Sequence, residues 1–383
     1  MVIIANFKAA FTKLLVFCGI TALMTVGMNG KIIAAVVYNL TDLGSSDLTS
    51  DNAIITNDIN DLGQIVGVTG NLSVGNDSAF VWSKTTGITK LGTLPGGSYS
   101  QALGINNIGQ VVGLSDYENS NGRPQGFLWS QNTGIIHIGI DGDNGSRVNA
   151  INDAGQAVGF FAGSDSGTFL WSSSAGSINP RTIFGNGVSF VPDLINNLGQ
   201  LVGSTGNGDG VRVFLWSQDS GIIDLATIPV NSNFIEGIND AGQLVGNSDS
   251  GYGAFLLSST GITDIAETKN IKAEDINNLG QVVGRLTTLN DEATTDDTAV
   301  VWSKSNGLLD LNTQIDPSLG WRLTDATAIN NKGQIIGYAF NNNGERRSFL
   351  LTPVPEPLTT GGTALAGVGL LYLRLRQRQL LKG

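Results

Sequence analysis

The chain has 383 residues, of which 41% are hydrophobic, only 14% are charged and 52 are glycine. This composition is typical of an ordered, turn-rich globular protein and excludes a disordered chain. Residues 36–352 include 14 basic and 31 acidic residues. This negative balance repels nucleic acid and anionic lipid headgroups, and it leaves cations or neutral glycans as compatible ligands.

The first 35 residues have the layout of a secretory signal. Two lysines precede an apolar run from Leu14 to Met28, and the small residues Ala34 and Ala35 follow it. We therefore predict a signal peptide over residues 1–35 and an exported mature protein. The only cysteine, Cys18, lies inside the apolar run, so the exported protein would have neither disulfides nor thiol chemistry.

A surplus outer strand at the start of the next region and a missing outer strand at its end predict a closed ring. Residues Val37–Leu43 read as an outer strand with no inner strands before it, whereas the last repeat stops one strand short, after Phe349–Leu351. An N-terminal strand that completes the last unit would remove the open edge of the sheet.

Between Val37–Leu43 and Phe349–Leu351 the pattern Ile-Asn-x-x-Gly-Gln-x-Val-Gly occurs in seven versions. Their opening isoleucines stand 38 to 53 residues apart, and self-similarity at this period is the signature of propellers, solenoids and arrays. The isoleucines are Ile59, Ile105, Ile151, Ile195, Ile238, Ile276 and Ile329.

Each repeat contains four short segments rich in β-branched and aromatic residues and bounded by turn residues. They predict four strands: strand a ends at Ile-Asn, b is Gln-x-Val-Gly, c is Phe-x-Trp and d is Ile-x-x-Leu. The sequence thus predicts an all-β, seven-bladed β-propeller of four-stranded blades over residues 36–352. Asn60, Asp61, Gly63 and their copies are predicted to form tight a–b turns and not a ligand site.

The connections between strands fall into two groups. The a–b turns keep one length and the c–d turns nearly do, whereas the b–c and d–a loops differ by several residues between repeats. In an up-and-down blade these groups lie on opposite faces, here called the uniform face and the variable face. Because binding usually occurs on variable loops, we predict ligand binding at Tyr99, Tyr117 and Trp321. Trp321 could equally fold inward over its blade.

Motifs for histidine or metal chemistry are scarce. The only histidine, His137, alternates with apolar residues in a predicted strand d, and the sequence has no zinc cluster, Ser-His-Asp constellation or phosphate loop. Asp141 and Asp143 begin a segment that resembles a calcium loop, although Gly145 stands one position early and no Glu closes it. These two aspartates are the candidate metal ligands, and calcium is the only cofactor they suggest.

The C-terminal segment has three parts in order: Pro355-Glu356-Pro357, an apolar run from Ala364 to Leu373, and a basic end with Arg374, Arg376 and Arg378. This order resembles the PEP-CTERM sorting signal of Gram-negative bacteria. The resemblance implies that residues 353–383 hold the protein transiently in the membrane and that an exosortase-type enzyme processes it. A plain tail anchor would have the same apolar run and arginines.

The repeats over residues 37–352 are similar to the HAF family of extracellular repeats, in which a His-Ala-Phe-x-Trp strand alternates with the Ile-Asn-x-x-Gly-Gln signature. The resemblance implies export and a propeller but no reaction. Histidine is absent from that slot in all seven repeats, so any role it has elsewhere is excluded here. The slot contains Ser78, Gln125, Gly167, Arg212, Gly253, Thr298 and Arg347.

Three functions are compatible with these patterns. Regular repeats without a catalytic constellation favour a non-catalytic protein that binds extracellular polysaccharide or a surface protein. A structural component of the matrix or surface layer is the second reading. The third is a carboxylate-dependent glycan hydrolase or lyase, because paired acids could meet across blades without a linear motif. Exposed aromatic residues on the variable face would favour binding, and a carboxylate pair at the channel mouth would favour the enzyme.

Overall fold

The structure, a computed structural model, describes residues 24–26, 32–34, 38–73, 75–118, 123–140, 144–163, 166–180, 189–206, 211–228, 233–248, 253–265, 270–289 and 295–354. Seven four-stranded antiparallel sheets form a closed ring, which confirms the predicted seven-bladed β-propeller. Strands a to d follow one another across each sheet. The a strands of neighbouring blades contact one another all round the ring, so strand a is innermost and lines a central channel.

The strands have the following bounds. A separate hairpin consists of β1 (Met24–Val26) and β2 (Ile32–Ala34). Strand β3 (Tyr38–Ser45) precedes blade 1, which comprises β4 (Ala53–Ile59), β5 (Ile65–Asn71), β6 (Asn76–Ser83) and β7 (Gly87–Lys90). Blade 2 comprises β8 (Ser100–Ile105), β9 (Val111–Ser115), β10 (Gln125–Ser130) and β11 (Gly134–His137). Blade 3 comprises β12 (Ser146–Ile151), β13 (Ala157–Phe161), β14 (Gly167–Ser172) and β15 (Gly176–Ile178).

The remaining blades follow the same order. Blade 4 comprises β16 (Ser189–Ile195), β17 (Leu201–Gly206), β18 (Val211–Ser217) and β19 (Gly221–Ile228). Blade 5 comprises β20 (Asn233–Ile238), β21 (Leu244–Ser248), β22 (Gly253–Ser258) and β23 (Gly261–Asp264). Blade 6 comprises β24 (Ile271–Ile276), β25 (Val282–Leu289), β26 (Thr295–Ser303) and β27 (Gly307–Asp310). Two short 3-10 helices, Leu311–Gln314 and Pro317–Leu319, lead to β28 (Arg322–Ile329), β29 (Ile335–Phe340) and β30 (Arg346–Pro353) of blade 7.

Strand β3 closes the ring as the fourth strand of blade 7, as the sequence predicted. It pairs antiparallel with β30, from Tyr38 opposite Pro353 to Ser45 opposite Arg347. Arg347 also binds the Asp42 carboxylate through two guanidinium nitrogens, at 3.1 and 2.7 Å. The last blade is therefore fastened by main-chain pairing and by an ion pair across the closure.

The last glycine of the signature lies where a side chain would collide with the strand-a backbone and, in several blades, with the phenylalanine of strand c. Gly113 lies directly opposite Phe127, and a Cβ atom on Gly113 would come within 2.9 Å of the Phe127 ring and 1.9 Å of the Gln101 carbonyl oxygen. Phe127 is fully buried and packs against Val66 and Ala79 of the preceding blade. The glycine thus leaves room for an aromatic ring that seals one blade against the next. The fully buried strand-c rings are Phe80, Phe127, Phe169, Phe214, Phe255 and Phe349.

Both chain ends of the propeller leave from the uniform face. Strand c runs toward the c–d turns of that face, and strand d runs away from them. In blade 7 no turn joins c to d: β30 ends at Pro353, directly opposite the start of β3 at Tyr38. The described chain therefore ends on the uniform face, at residue 354, beside the outer strands of blade 7.

Candidate binding site in the central channel

The uniform end of the channel is lined by a ring of seven asparagines. In each blade the signature asparagine donates from its Nδ2 to the main-chain carbonyl of the matching asparagine in the next blade, at 2.8 to 3.1 Å. The seventh bond, from Asn330 to the Asn60 carbonyl oxygen, completes the circle. The ring consists of Asn60, Asn106, Asn152, Asn196, Asn239, Asn277 and Asn330.

The hydrogen-bonding groups of these asparagine side chains are all engaged, as Asn60 shows. Asn60 accepts hydrogen bonds on Oδ1 from the main-chain nitrogens of Leu62 and Gln64, and its Nδ2 donates to Gln64 Oε1 and to the Asn106 carbonyl oxygen. Only 3% of Asn60 is exposed. The predicted turn role is therefore present, and the side chain also joins blades, which leaves it no spare hydrogen-bonding group for a ligand.

A second ring lies beside the first. At the next position of each turn, an Asn or Asp accepts a hydrogen bond on Oδ1 from the main-chain nitrogen of its counterpart in the preceding blade, at 2.7 to 2.9 Å. The two rings border a cavity of about 180 Å³. The second ring consists of Asp61, Asn107, Asp153, Asn197, Asp240, Asn278 and Asn331.

Two carboxylates line the same cavity one position before the signature isoleucine. Asp58 accepts from the main-chain nitrogens of Ile59 and Ile105, and Asp275 accepts equivalently from Ile276 and Ile329, at 2.7 to 2.9 Å. Each acid therefore bridges two blades. Burial raises the pKa of the Asp58 carboxyl. Burial, with the nearby negative charges of Asp58 and Glu274, raises the pKa of Asp275 to about 7.

The innermost strands of blades 3 to 7 carry further charged side chains, nearer the variable face. Because strand a runs from the variable face to the a–b turn, residues two or four positions before the signature isoleucine lie on that side. We call this group the charged arc. Its acids are Asp193, Glu236, Glu274 and Asp325, and its bases are Arg147, Lys272 and the strand-b residue Arg285.

Three of the acids pair with bases within the charged arc. The nitrogen–oxygen distances are 3.9 Å for Arg147–Asp193, 2.9 Å for Lys272–Glu274 and 3.5 Å for Arg285–Asp325. Glu236 instead accepts from the Asn247 amide at 3.2 Å. The Glu274 and Asp325 side chains are each only 18% exposed, so these partly buried charges are compensated by neighbours and not by bulk water.

Three acids of the charged arc, Asp193, Glu274 and Asp325, have raised pKa values. Burial is the main cause of the raised pKa of Glu274, and the charges of Asp325 and Glu236 add to it. Burial also raises the pKa values of Asp193 and Asp325, against the lowering effects of Arg147 and Arg285. One Asp325 oxygen, Oδ1, is buried without a hydrogen-bond partner among the described residues.

The three predicted aromatic residues differ in their surroundings. Tyr117 is exposed, and Tyr99 is half-buried. Asp116 ties their two loops together, because its Oδ1 accepts from the main-chain nitrogens of Ser98 and Tyr99. Partial burial and the charge of Asp116 raise the pKa of Tyr99. Trp321 is partly buried against the core of blade 7, which is the inward alternative of the sequence prediction.

Several predicted residues lie outside the described part of the chain. These include Asp141 and Asp143, and also residues 355–383 with the Pro-Glu-Pro motif, the apolar run and the arginines. Among the described residues, no group of three or more Asp, Glu, His or Cys side chains is placed to hold a metal ion. Within the same ranges, no helix has the length and apolar character needed to cross a membrane. His137 is exposed on strand d of blade 2, where Gln125 Oε1 lies 3.3 Å from its Nε2.

The charged arc is the feature that sequence reasoning missed, although a signal was present. The position two residues before the signature isoleucine is polar in six of seven repeats, where a strand facing only a core would be apolar. The residues there are Asn57, Leu103, Asn149, Asp193, Glu236, Glu274 and Thr327. This pattern is visible once the repeats are aligned on the isoleucine.

A scan against protein-family models and a search of curated proteins gave no match. Among solved structures, a puromycin-hydrolyzing peptidase from Mycobacterium tuberculosis is 9% identical, with a TM-score of 0.51 over 85% of this chain and 57% of its own. A gluconolactonase from Xanthomonas campestris is 10% identical, with a TM-score of 0.38 over 88% of this chain and 96% of its own. YCF48 bound to D1 peptide is also 10% identical, with a TM-score of 0.45 over 84% and 98%. At such identities the likeness shows the β-propeller fold alone.

Proposed function

We propose that this protein is an exported, non-catalytic propeller that binds an extracellular polysaccharide or a surface-protein partner on its variable face. The charged arc carries the proposal. It places carboxylates, guanidinium groups and an ammonium group side by side at the variable-face side of the channel. Donors and acceptors thus lie side by side, and a sugar hydroxyl can use both because it donates and accepts hydrogen bonds.

The charge of the protein narrows the choice of polysaccharide. With 31 acidic and 14 basic residues between residues 36 and 352, the propeller repels polyanions such as uronate-rich chains. A neutral polysaccharide meets no such repulsion. We therefore favour a neutral, hydroxyl-rich polymer as the ligand.

Export rests on the sequence of the two ends. The N-terminal basic and apolar segments favour secretion, and the order of motifs in residues 353–383 favours a sorting signal of the PEP-CTERM type, with an exosortase-type enzyme as processing partner. The HAF-type repeats agree with an extracellular location. Glycan binding at the variable face needs this location, because the polymer lies outside the cell.

Affinity electrophoresis of the full-length protein in gels containing neutral polysaccharides tests the binding proposal. We expect the wild-type protein to be retarded by at least one polymer. Glu274→Gln combined with Asp325→Asn should weaken binding about a hundredfold or more, since lost charge-assisted hydrogen bonds are worth roughly 1.5–3 kcal/mol each and about 1.4 kcal/mol is a factor of ten. Asp219→Asn, on an exposed c–d turn of the uniform face, is the matched control and should bind normally.

Variants of the predicted aromatic residues give a second, independent test of the binding proposal. Replacing Tyr99, Tyr117 and Trp321 by Ala should also weaken binding about tenfold or more, since ring contacts contribute roughly 1 kcal/mol each. The two tyrosine changes should leave the melting temperature nearly unchanged, whereas Trp321→Ala should lower it because Trp321 packs on the blade core. Equal retention of every polymer by the wild-type protein and all variants would contradict the proposal.

One observation favours a second candidate, the carboxylate-dependent glycan hydrolase or lyase. Burial and the charges of Asp325 and Glu236 raise the pKa of Glu274, and a raised carboxyl pKa near a second acid is a feature of the general acids of glycosidases. A reducing-sugar assay separates the two functions. Turnover by the wild-type protein that disappears in Glu274→Gln would replace the binding proposal with the enzyme.

A further inference from the structure

The tips of the a–b turns expose large apolar side chains around the channel mouth on the uniform face. They occupy the third position of the turn, between the second-ring residue and the glycine, and they are 62% to 70% exposed. No other large hydrophobic residue in the described ranges is as exposed. We call these four residues the apolar tips: Leu62, Ile108, Leu198 and Leu279.

The apolar tips have no role in the fold. The two rings hold each turn through the two residues before the tip and through main-chain donors, which include the nitrogens of Leu62, Leu198 and Leu279 but none of the apolar side chains. The same position is Ala154, Ala241 and Lys332 in the other three blades, so the turn does not need a large side chain. Four exposed branched side chains on one rim indicate a surface that is covered in use.

The position of the chain ends indicates what covers it. Tyr38 and Pro353 are paired at the uniform face, so residues 355–383, with the apolar run from Ala364 to Leu373 and the arginines that follow, continue from this face. A segment of this kind is held by a bilayer. If it is inserted, the uniform face is the one brought against the lipid.

The charge of the uniform face agrees with a lipid partner. Its thirteen described turns carry four aspartates and three lysines, whereas the propeller as a whole has 31 acidic and 14 basic residues. Three of the aspartates lie in the second ring, where they accept main-chain hydrogen bonds. The lysines lie on blades 1, 6 and 7, around the point where the chain ends leave. These charged residues are Asp61, Asp153, Asp219, Asp240, Lys84, Lys304 and Lys332.

We propose that the uniform face docks on the membrane surface, with the apolar tips inserted among the lipid headgroups. This inference rests on the proposed membrane segment of the C-terminal tail, and it adds an orientation. The tail holds the propeller at the bilayer, and the apolar tips keep its uniform face against the membrane. The variable face with the charged arc then points away from the membrane.

Site-specific fluorescence quenching in vesicles tests the orientation. The full-length chain with Cys18→Ser has no cysteine, so one cysteine at a time can be introduced by Leu62→Cys, Ile108→Cys, Leu198→Cys or Leu279→Cys. Each is labelled with an environment-sensitive dye and reconstituted into phosphatidylcholine vesicles containing nitroxide-labelled lipid. We expect strong quenching at all four positions, because interfacial side chains lie about 5–10 Å into the headgroup region.

Matched controls come from the opposite face. Leu48 and Leu319 are exposed leucines on d–a loops of the variable face, and labels at Leu48→Cys and Leu319→Cys should remain unquenched. Replacing the four tips together by Ser should abolish quenching of a label at Ala154→Cys, while flotation with the vesicles persists through the tail.

The outcomes that overturn the proposal are distinct. A chain that does not float with vesicles lacks the membrane segment, and the docking fails with it. A chain that floats with equal quenching on both faces is anchored but not oriented. Tip labels that are shielded in detergent without a bilayer, in a manner that depends on protein concentration, would show that a second copy of the chain covers this face.

Discussion

At the residue scale, the signature asparagine has two roles that one comparison of substitutions can separate. Asn60 holds its own turn and also donates to the Asn106 carbonyl of the next blade. Asn341 forms the same turn in the b–c loop of blade 7, with equivalent bonds to Asn343, Gly344 and Glu345, but without the bond to another blade.

We predict that Asn60→Ala costs about 2–4 kcal/mol of unfolding free energy, because it leaves buried main-chain groups unpaired. Asn341→Ala should cost about 1 kcal/mol, since its turn is solvated and its lost bonds can be replaced by water. Chemical denaturation of both variants measures the difference. Equal losses would mean that the inter-blade bond adds nothing beyond turn formation.

Asp275 makes stability depend on pH. Its pKa is about 7 in the folded chain and near the ordinary value of 3.8 when unfolded, so between these values the folded state holds a proton that the unfolded state has released. The contribution of Asp275 is therefore complete below about pH 4 and is lost as the pH rises through about 7. Asp275→Asn cannot titrate, and its stability relative to the wild-type protein should improve by roughly 1–3 kcal/mol between about pH 4 and pH 8.

Urea denaturation at several pH values measures this difference, with Asp219→Asn on an exposed turn as the control. The amide that Asp275→Asn introduces has only one oxygen for two main-chain donors, so the variant starts from a lower stability at about pH 4. A constant difference across the pH range would show that Asp275 is ionised in the folded protein throughout.

At the element scale, the fit between strand b and strand c depends on the signature glycine. Gly113→Ala would place a Cβ against the Gln101 carbonyl oxygen and the Phe127 ring, and we predict a loss of about 3 kcal/mol or more because the closed core cannot move aside. Gly134→Ala is the comparison. Gly134 has a positive φ of 66° but open space around it, so only backbone strain of about 1 kcal/mol is expected. Thermal melts that rank the two variants in reverse would refute the packing argument.

Closure of the ring depends on one strand. Deleting residues 37–43 removes the pairing partner of β30, the Asp42 partner of Arg347, and the buried contacts of Tyr38 and Leu40. We predict a loss of several kcal/mol and a fall in melting temperature of roughly 10 °C. A chain lacking only residues 2–36 keeps the strand and should melt like the intact propeller. If both truncations melt alike, β3 does not stabilise the ring.

The sequence was sufficient to predict features that repeat within each unit. Strand types, blade number, the role of Val37–Leu43 and the separation of two faces all follow from patterns within one repeat or from its incomplete copies. The asparagine ring was not predictable in this way, since its bonds run between blades whose relative position is known only after closure. The charged arc joins residues from Arg147 to Asp325 and requires the same information. Trp321 left two readings open because its packing depends on the core of blade 7.

At the scale of the whole molecule, the two faces differ in what they need from the sequence. The uniform face repeats one turn seven times because each turn must match its neighbour in two hydrogen-bonded rings, which fixes length and residue type. The described parts of the variable-face loops form no such hydrogen-bonded ring, and these loops differ in length and composition. The repeated turns of the uniform face and the proposed ligand site of the variable face thus lie at opposite ends of one channel. The proposed membrane contact is on the uniform face, whose turns cannot vary.

Removal of the two chain ends would determine how long the proposed contact between the uniform face and the membrane lasts. We predict that the mature protein lacks residues 1–35 and the segment that follows Pro355-Glu356-Pro357, because the first has the layout of a signal peptide and the second has the order of a sorting signal. Mass spectrometry of the protein recovered from its native cell measures both ends. Replacing Pro355, Glu356 and Pro357 by Ala should retain the tail and keep the protein in the membrane fraction. A wild-type species that still ends at Gly383 would reduce the tail to a permanent anchor, and the uniform face would then stay at the bilayer throughout the life of the protein.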